Sequence, residues 1–193
     1  MSDLQLLPTT ELDAVNIILA GIGEDAVPSL EGDIAGDVAT ALLRLRTTSR
    51  SLQKQGWHFN IEPEVKLLKD GSGQVRVPNN TLAIKTAPDS DEFDLIQRGL
   101  FLYDRIKSTI VLDQDITAEI TYFLPFDNLP EYARWYITVM AARRFLDGVM
   151  GDAASHQFSK QDELDAKRDF LDAELQASKL NLLRDSPTAI TQR

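Results

Sequence analysis

The chain has 193 residues, 43% hydrophobic and 26% charged, with no cysteine. These values predict a soluble globular protein, and they exclude disulfides, thiolate chemistry and, since no apolar run reaches about 18 residues, a membrane-spanning helix. Thirty acidic residues against 20 basic residues leave a net charge of −10, which argues against a protein that grips nucleic acid through its phosphates.

A short helix is the first predicted element. Thr10 and Asp13 have the spacing of a capping box, in which each side chain accepts a hydrogen bond from the other residue's backbone amide. Apolar residues recur at steps of three and four from Leu12 to Ile22, which is typical of one buried helix face. A short connection to the next helix predicts that the two form an antiparallel pair.

The second predicted helix is long and amphipathic. Asp33 is its predicted N-cap, and Gly56 ends it because glycine tolerates the left-handed conformation. The alternation of Trp57, His58, Phe59, Asn60 and Ile61 predicts a half-buried strand that carries Trp57 and Phe59 into the core. The predicted buried face of the helix consists of Ile34, Val38, Ala41, Leu42, Leu45, Thr48, Ser49 and Leu52.

Short alternating segments separated by turn residues follow and predict an antiparallel sheet. Asp70–Gly73 is a tight-turn signal, and Arg98–Gly99 joins a second hairpin. The predicted strands cover residues 64–68, 74–77, 82–85, 93–97, 100–103 and 116–123. The fold class is therefore α+β, mainly a bundle of about four helices with an inserted antiparallel β-rich portion.

Two helices complete the chain. The third begins at Pro130, whose missing amide costs nothing in a first turn. The fourth begins with Ser159 as N-cap and Asp162 three residues on, and its narrow apolar seam consists of Leu164, Leu171, Leu175 and Leu182. Residues 184–193 show no period and are predicted to form a flexible tail.

These elements predict one domain over residues 1–193. Its helical core covers 10–56 and 130–183, and the β-rich insertion covers 57–124. The tail at 184–193 is left outside the core.

Few residues have the chemistry of a catalytic or metal site. The two histidines, His58 and His156, have no cysteine to join in a zinc site. His58 falls on the solvent side of its predicted strand, which favours a surface role. We expect no catalytic residue, no cofactor and no metal ion.

Two clusters of acidic residues could instead indicate a glycosidase site or a calcium site. Glu62 and Glu64 share one face of a strand, as a glycosidase pair would, but 30 acidic residues make such pairs frequent. A second acidic stretch lacks the central glycine and distal glutamate of an EF-hand loop, so we interpret it as a solvated loop. It contains Asp89, Asp91, Glu92 and Asp94.

Candidate contacts with partner proteins lie on the third helix and in the tail. Aromatic residues are enriched in interface hot spots. Helical spacing favours a core position for Tyr136 and leaves Tyr132 and Trp135 open, and a tail that cannot join the core is free to order against a partner. The candidate partner-binding residues are Tyr132, Trp135, Arg184, Asp185, Ser186, Pro187, Thr188, Ala189, Ile190, Thr191, Gln192 and Arg193.

Short motifs run through the chain in a fixed order. They are Leu12–Leu19, Ile22–Glu24, Ser29–Asp33, Gly56–Asn60, Tyr103–Arg105, Leu129–Glu131, Ala142–Phe145 and the charged helix around 162–174. In this order they resemble the tail tubular protein A family, the head-to-tail adaptor or gatekeeper proteins of T7-like short-tailed bacteriophages. The combination of Ile-Gly-Glu with a later Gly-Trp-x-Phe-Asn is the specific part of the resemblance.

The resemblance implies a structural virion protein, one subunit of a twelve-membered ring. The portal protein would lie above the ring, the nozzle (tail tubular protein B) below it and tail fibres at its periphery, while DNA passes through the lumen without specific binding. The implied location is the virion tail, after assembly in the cytoplasm of the bacterial host. Two rival interpretations are a tail-associated glycan-degrading enzyme and an unrelated cytoplasmic helical regulator.

Overall fold

A computed structural model describes residues 8–32, 34, 36–86, 93–149 and 153–184. Within these ranges four α-helices and two antiparallel sheets confirm the predicted α+β class. The helices are α1 (Glu11–Ala20), α2 (Gly36–Gln53), α3 (Glu131–Val149) and α4 (Ala153–Arg184). The strands are β1 (Ile61–Leu67), β2 (Thr81–Thr86), β3 (Leu95–Arg98), β4 (Phe101–Asp104) and β5 (Ile116–Tyr122).

The chain divides into two compact units. The helical unit comprises residues 1–52 and 125–193, and the β unit comprises residues 53–124. The helices belong to the first unit and the strands to the second, with Gln53, the last residue of α2, already in the β unit.

The capping box at the start of α1 is confirmed. The Thr10 hydroxyl accepts from the Asp13 amide at 3.1 Å, and the Asp13 carboxylate accepts from the Thr10 amide at 3.0 Å. The Thr10 hydroxyl also donates to the Asp13 carboxylate at 2.7 Å, and this bond, followed by the one from the Thr10 amide, holds the pKa of Asp13 below its usual value of 3.8. The buried face of α1 consists of Ala14, Val15, Ile18 and Leu19.

The main packing partner of α1 is α3. Arg46 of α2 forms an ion pair with Glu11 of α1 at 2.9 Å, and the antiparallel pairing of α1 with α2 stays a prediction. A cluster of polar contacts explains the packing of α1 on α3. The Arg134 guanidinium donates to the carbonyls of Thr9 at 2.9 Å and Asp127 at 2.6 Å. Glu131 accepts from the Thr9 amide at 2.9 Å. The chain before α1 is thereby attached to the start of α3.

The predicted buried face of α2 is confirmed over most of its length. Ala41, Leu42, Leu45, Thr48, Ser49 and Leu52 are all buried. Gly56 has a φ of +78°, as a helix-terminating glycine should. Asp33, the predicted N-cap, lies outside the described residues.

The predicted strand at Trp57–Ile61 is wrong, because residues 58–60 form a turn and β1 begins at Ile61. Trp57 and Phe59 are half-buried, whereas Asn60 is buried. The Asn60 side chain accepts from the Trp57 amide at 2.8 Å. It also donates to the carbonyls of Gln53 at 2.9 Å and Tyr122 at 2.8 Å. These bonds bring the polar residue inside and leave the aromatic residues nearer the surface.

The Gln53 side chain joins the two ends of the β unit. Its amide nitrogen donates to the Leu124 carbonyl at 3.0 Å, and its amide oxygen accepts from the Leu124 backbone amide at 2.8 Å. Gln53 is fully buried, so both bonds are shielded from competing water.

The β unit is organised on β5, which lies between β1 and β2 in an antiparallel sheet. Its alternation is confirmed, since Ile116, Ala118 and Ile120 are buried. The predicted hairpin across Arg98–Gly99 is also present, as β3 and β4. The core of the unit consists of Leu67, Val75, Val77, Leu102, Leu112, Ile116, Ala118 and Ile120.

The predicted strand at 74–77 is replaced by isolated bridges. Its residues pair singly with three different segments, so no ladder forms. The bridges are Gln74 with Val111, Val75 with Lys69, and Arg76 with Phe101. The preceding turn is present, and the Asp70 carboxylate accepts from the amides of Ser72 at 2.8 Å and Gln74 at 2.9 Å.

We expect Gln53→Ala to destabilise the β unit by about 2–4 kcal/mol, because it leaves the half-buried amide and carbonyl of Leu124 without these bonds. Gln55→Ala, at an exposed position two residues away, should change stability by less than about 0.5 kcal/mol. The chain has two tryptophans, Trp57 in the β unit and Trp135 in the helical unit. Urea unfolding followed by Trp57 fluorescence in a Trp135→Phe background isolates the effect. Equal midpoints for the two alanine variants would contradict it.

Candidate functional site

The surface formed by α3 and α4 contains the candidate contact residues of the third helix. The two helices run antiparallel, with Tyr132 beside Glu174 and Arg143 beside Glu163. The ring of Phe170 packs 5.8 Å from that of Tyr132 and 5.2 Å from that of Tyr136, measured between centroids. Aromatic pairs at this distance prefer tilted arrangements such as these.

Tyr132 acts in the contact between the two helices. Its hydroxyl donates to the Glu174 carboxylate at 2.8 Å, and Glu174 is buried. Burial, then the bond to Glu174, raises the pKa of Tyr132 far above its usual value of 10.0. Because the pKa of Tyr132 is raised only in the folded state, the stability that its protonated hydroxyl contributes is complete below pH 10.0. That stability is lost as the pH rises above this value.

A charged group fixes the other end of the same contact. Arg143 forms ion pairs with Glu163 of α4 and, at 3.0 Å, with Asp147 one turn along α3. All three side chains are mostly shielded from solvent, so the pairs are screened less than surface pairs. The register of α4 on α3 is therefore set at both ends by polar bonds.

The predicted buried face of α4 is wrong. The helix begins at Ala153, which places the predicted N-cap Ser159 inside it. The residues that face α3 are Ala166, Phe170 and Glu174, all buried. One aromatic ring with an alanine one turn before it fits closely against α3, and the leucines lie about a quarter turn or more away. The four-residue spacing of Ala166 and Phe170 indicates this buried face in the sequence, but the periodicity of the leucines indicates another.

The predicted leucine seam is consequently on the outside of the helix. Leu164, Leu171 and Leu175 are 60%, 37% and 54% exposed. Their spacing of seven and four residues places them on one line along the helix, which we call the leucine stripe. The Leu182 side chain lies outside what the structure describes.

A cleft of about 250 Å³ lies between α3 and α4 and adjoins the leucine stripe. Three cationic side chains line it, Arg143, Lys160 and Lys167, together with Tyr136, Glu163 and Leu164. Glu163 pairs with Arg143, while Lys160 and Lys167 are exposed. The cleft is therefore basic on balance and partly apolar.

The remaining predicted contact residues are dispersed. Trp135 is 46% exposed on α3 and stays a candidate for a partner contact. Arg184 is the last residue of α4. The rest of the predicted tail, Asp185, Ser186, Pro187, Thr188, Ala189, Ile190, Thr191, Gln192 and Arg193, lies outside the described residues.

The groups weighed for catalysis and metal binding lie at the surface where they are described. His58, Glu62 and Glu64 are exposed, and Asp94 pairs with Arg105 at 3.3 Å. Asp89, Asp91 and Glu92 lie outside the described residues. Across the described ranges, no group of three or more His, Cys, Asp or Glu side chains is placed to hold a metal ion. In those ranges no helix is both long and apolar enough to span a membrane.

Two similarities to known proteins cover most of the chain. A family model for tail tubular proteins matches residues 12–180. Tail tubular protein A of Klebsiella phage KP34 is 31% identical over 157 residues, which cover 79% of this chain and 81% of that protein. The matched region reaches from α1 into α4 and so includes the β unit and the α3–α4 surface.

We expect Tyr132→Phe to destabilise the helical unit by about 1–3 kcal/mol, because the buried Glu174 carboxylate loses the bond from the hydroxyl. Trp135→Phe, at the exposed neighbouring surface, is the control and should cost less than about 0.5 kcal/mol. Thermal or urea unfolding followed by helical circular dichroism measures both. A Tyr132→Phe protein as stable as the wild type would assign that hydroxyl a role outside the fold.

Proposed function

Since the chain belongs to the tail tubular protein family, as its motifs predicted, we propose that it is the head-to-tail adaptor of its phage. Membership makes it a structural protein of a bacteriophage tail. In the proposed role, twelve copies form a ring between the portal protein and the tail nozzle, tail tubular protein B, and tail fibres attach at the periphery. The family match over residues 12–180 carries this proposal.

The helical unit has surfaces that suit a ring. A closed ring uses a heterologous interface, in which one face of a subunit meets a different face of its neighbour. α1 and α4 both pack on α3 but differ in sequence and charge. Each copy therefore offers two unlike helical faces, which is the minimum that such an interface needs.

The charge of the chain supports a role as a DNA conduit. Each copy carries −10, so a ring of twelve is strongly acidic. An acidic lumen repels the phosphate backbone, and DNA then passes without adhering to the wall. Specific binding of DNA is not part of the proposed function.

We place the portal contact at the C-terminal end of the chain, residues 184–193. Tyr132, near the start of α3, is paired with Glu174, so residues 175–184 of the antiparallel α4 extend about 15 Å past that point at about 1.5 Å per residue. The end of α4 therefore lies beyond the contact of Tyr132 with Glu174. Repeating a weak contact around a ring strengthens it, because each contact raises the effective concentration for the next.

Sedimentation of the purified chain with portal protein tests the ring. The expected result is a complex of twelve chains per portal ring. The complex should form without DNA, so nuclease treatment should not change it. A chain that stays monomeric beside folded portal rings, or that releases reducing sugars from a glycan, would overturn the adaptor role.

Removal of residues 184–193 should leave folding unchanged and weaken attachment to the portal by at least about tenfold, because a ring multiplies the loss of each contact. Circular dichroism measures folding, and cosedimentation with portal rings measures attachment. A second variant, in which a Gly/Ser segment of equal length replaces residues 184–193, keeps the length of the tail but not its side chains. Its attachment to the portal should be weakened as well. If either variant binds portal as tightly as the full chain, the docking surface lies elsewhere.

A further inference from the structure

The charges of the chain are unevenly distributed. Residues 1–43 contain no lysine, arginine or histidine, and the first basic residue is Arg44. The same segment contains the acidic residues Asp3, Glu11, Asp13, Glu24, Asp25, Glu31, Asp33 and Asp37. Most of the net charge of −10 therefore arises in the segment that contains α1.

Three of these acids are exposed on α1 or in the turn that follows it, and so is one apolar side chain of the helix. Ile17 is 40% exposed, and Asp13, Glu24 and Asp25 are exposed. We call these four residues the acidic α1 face. Gly23, with a φ of +80°, turns the chain directly before the two adjacent acids.

The turn after α1 is held in a fixed position. The Asn16 side chain donates to the Val27 carbonyl at 3.1 Å and accepts from the Val27 amide at 2.9 Å. These two bonds close the turn that contains Glu24 and Asp25. A preorganised turn loses little conformational entropy when it binds a partner.

The α4 surface has the complementary properties. The leucine stripe is apolar, and the adjoining cleft is lined by Lys160, Lys167 and Arg143. An apolar line beside a basic cleft suits a partner that presents an apolar side chain beside acids. The acidic α1 face has this composition and belongs to the same chain.

We propose that the acidic α1 face of one copy binds the leucine stripe and basic cleft of the next copy. Ile17 would pack on the leucine stripe, while Glu24 and Asp25 would face Lys160 and Lys167. The contact is heterologous, because α1 and α4 each use α3 as their inner partner and each keep a different outer face. This inference rests on the proposed ring and names its copy-to-copy surfaces.

Charge reversal on either side tests the contact. Glu24→Lys/Asp25→Lys and Lys160→Glu/Lys167→Glu should each raise the concentration for half-assembly on portal rings by at least about tenfold, because like charges then oppose each other. An equimolar mixture of the two variants should assemble again, since alternating copies restore opposite charges at every interface. Lys54→Glu/Lys66→Glu, at exposed lysines of the β unit, is the charge-matched control and should assemble normally.

The absence of native cysteine permits a second test that does not need the portal. A chain with Ile17→Cys and Leu171→Cys should form a ladder of disulfide-linked multimers on oxidation at high protein concentration. The control is a chain with Ile17→Cys and Leu100→Cys, which uses an exposed leucine of the β unit. This control should form no ladder of multimers.

The two tests separate this contact from the adaptor role. A cysteine ladder without rings on the portal would support the contact and reject the adaptor role. Wild-type rings on the portal, with both reversed variants assembling equally well and no ladder, would overturn the contact and retain the adaptor. Circular dichroism of each variant confirms that assembly is measured on folded protein.

Discussion

The β unit begins and ends at neighbouring points, which the Gln53 side chain holds together. Its two bonds to Leu124 join the first and last residues of the β unit. Closing a loop of this size costs conformational entropy that grows only slowly with length, so two shielded bonds at the closure offset a substantial part of it. Asn60 extends the same network to Tyr122 at the end of β5.

The helical unit follows a comparable rule, in which apolar faces supply burial and polar bonds select the partner. α3 packs against both α1 and α4. Arg134 fixes the chain before α1, while Tyr132 and Arg143 fix α4 at two points along its length. Hydrophobic packing is not directional, whereas these bonds exist in one register. The outward faces of α1 and α4 are consequences of that register.

The ring proposed for this member of the tail tubular protein family would give these outward faces a use. A structural protein that assembles from many copies needs modest contacts that become strong when repeated. Exposed leucines and segregated charge are costly on an isolated protein, since exposed apolar patches promote unwanted association. In the proposed ring the same features are where neighbouring copies would meet.

The sequence by itself determined the local structure and the family. The Thr10–Asp13 capping box, the buried face of α2, the left-handed Gly56 and the alternation of β5 all depend on neighbours within a few residues. Such features are fixed by backbone geometry and side-chain periodicity, which are properties of the chain itself.

Only the tertiary structure decided which residues are buried in α4 and at Trp57–Ile61, where the sequence pattern pointed to the wrong ones. In α4 both the leucine stripe and the line of Ala166, Phe170 and Glu174 have helical spacing, and the bonds from Tyr132 and Arg143 selected the second. In Trp57–Ile61 the alternation predicted buried aromatic residues, but Asn60 found partners at Gln53 and Tyr122, the latter 62 residues away. Partners distant in sequence carry no local signal, so periodicity leaves the choice open and long-range hydrogen bonds make it.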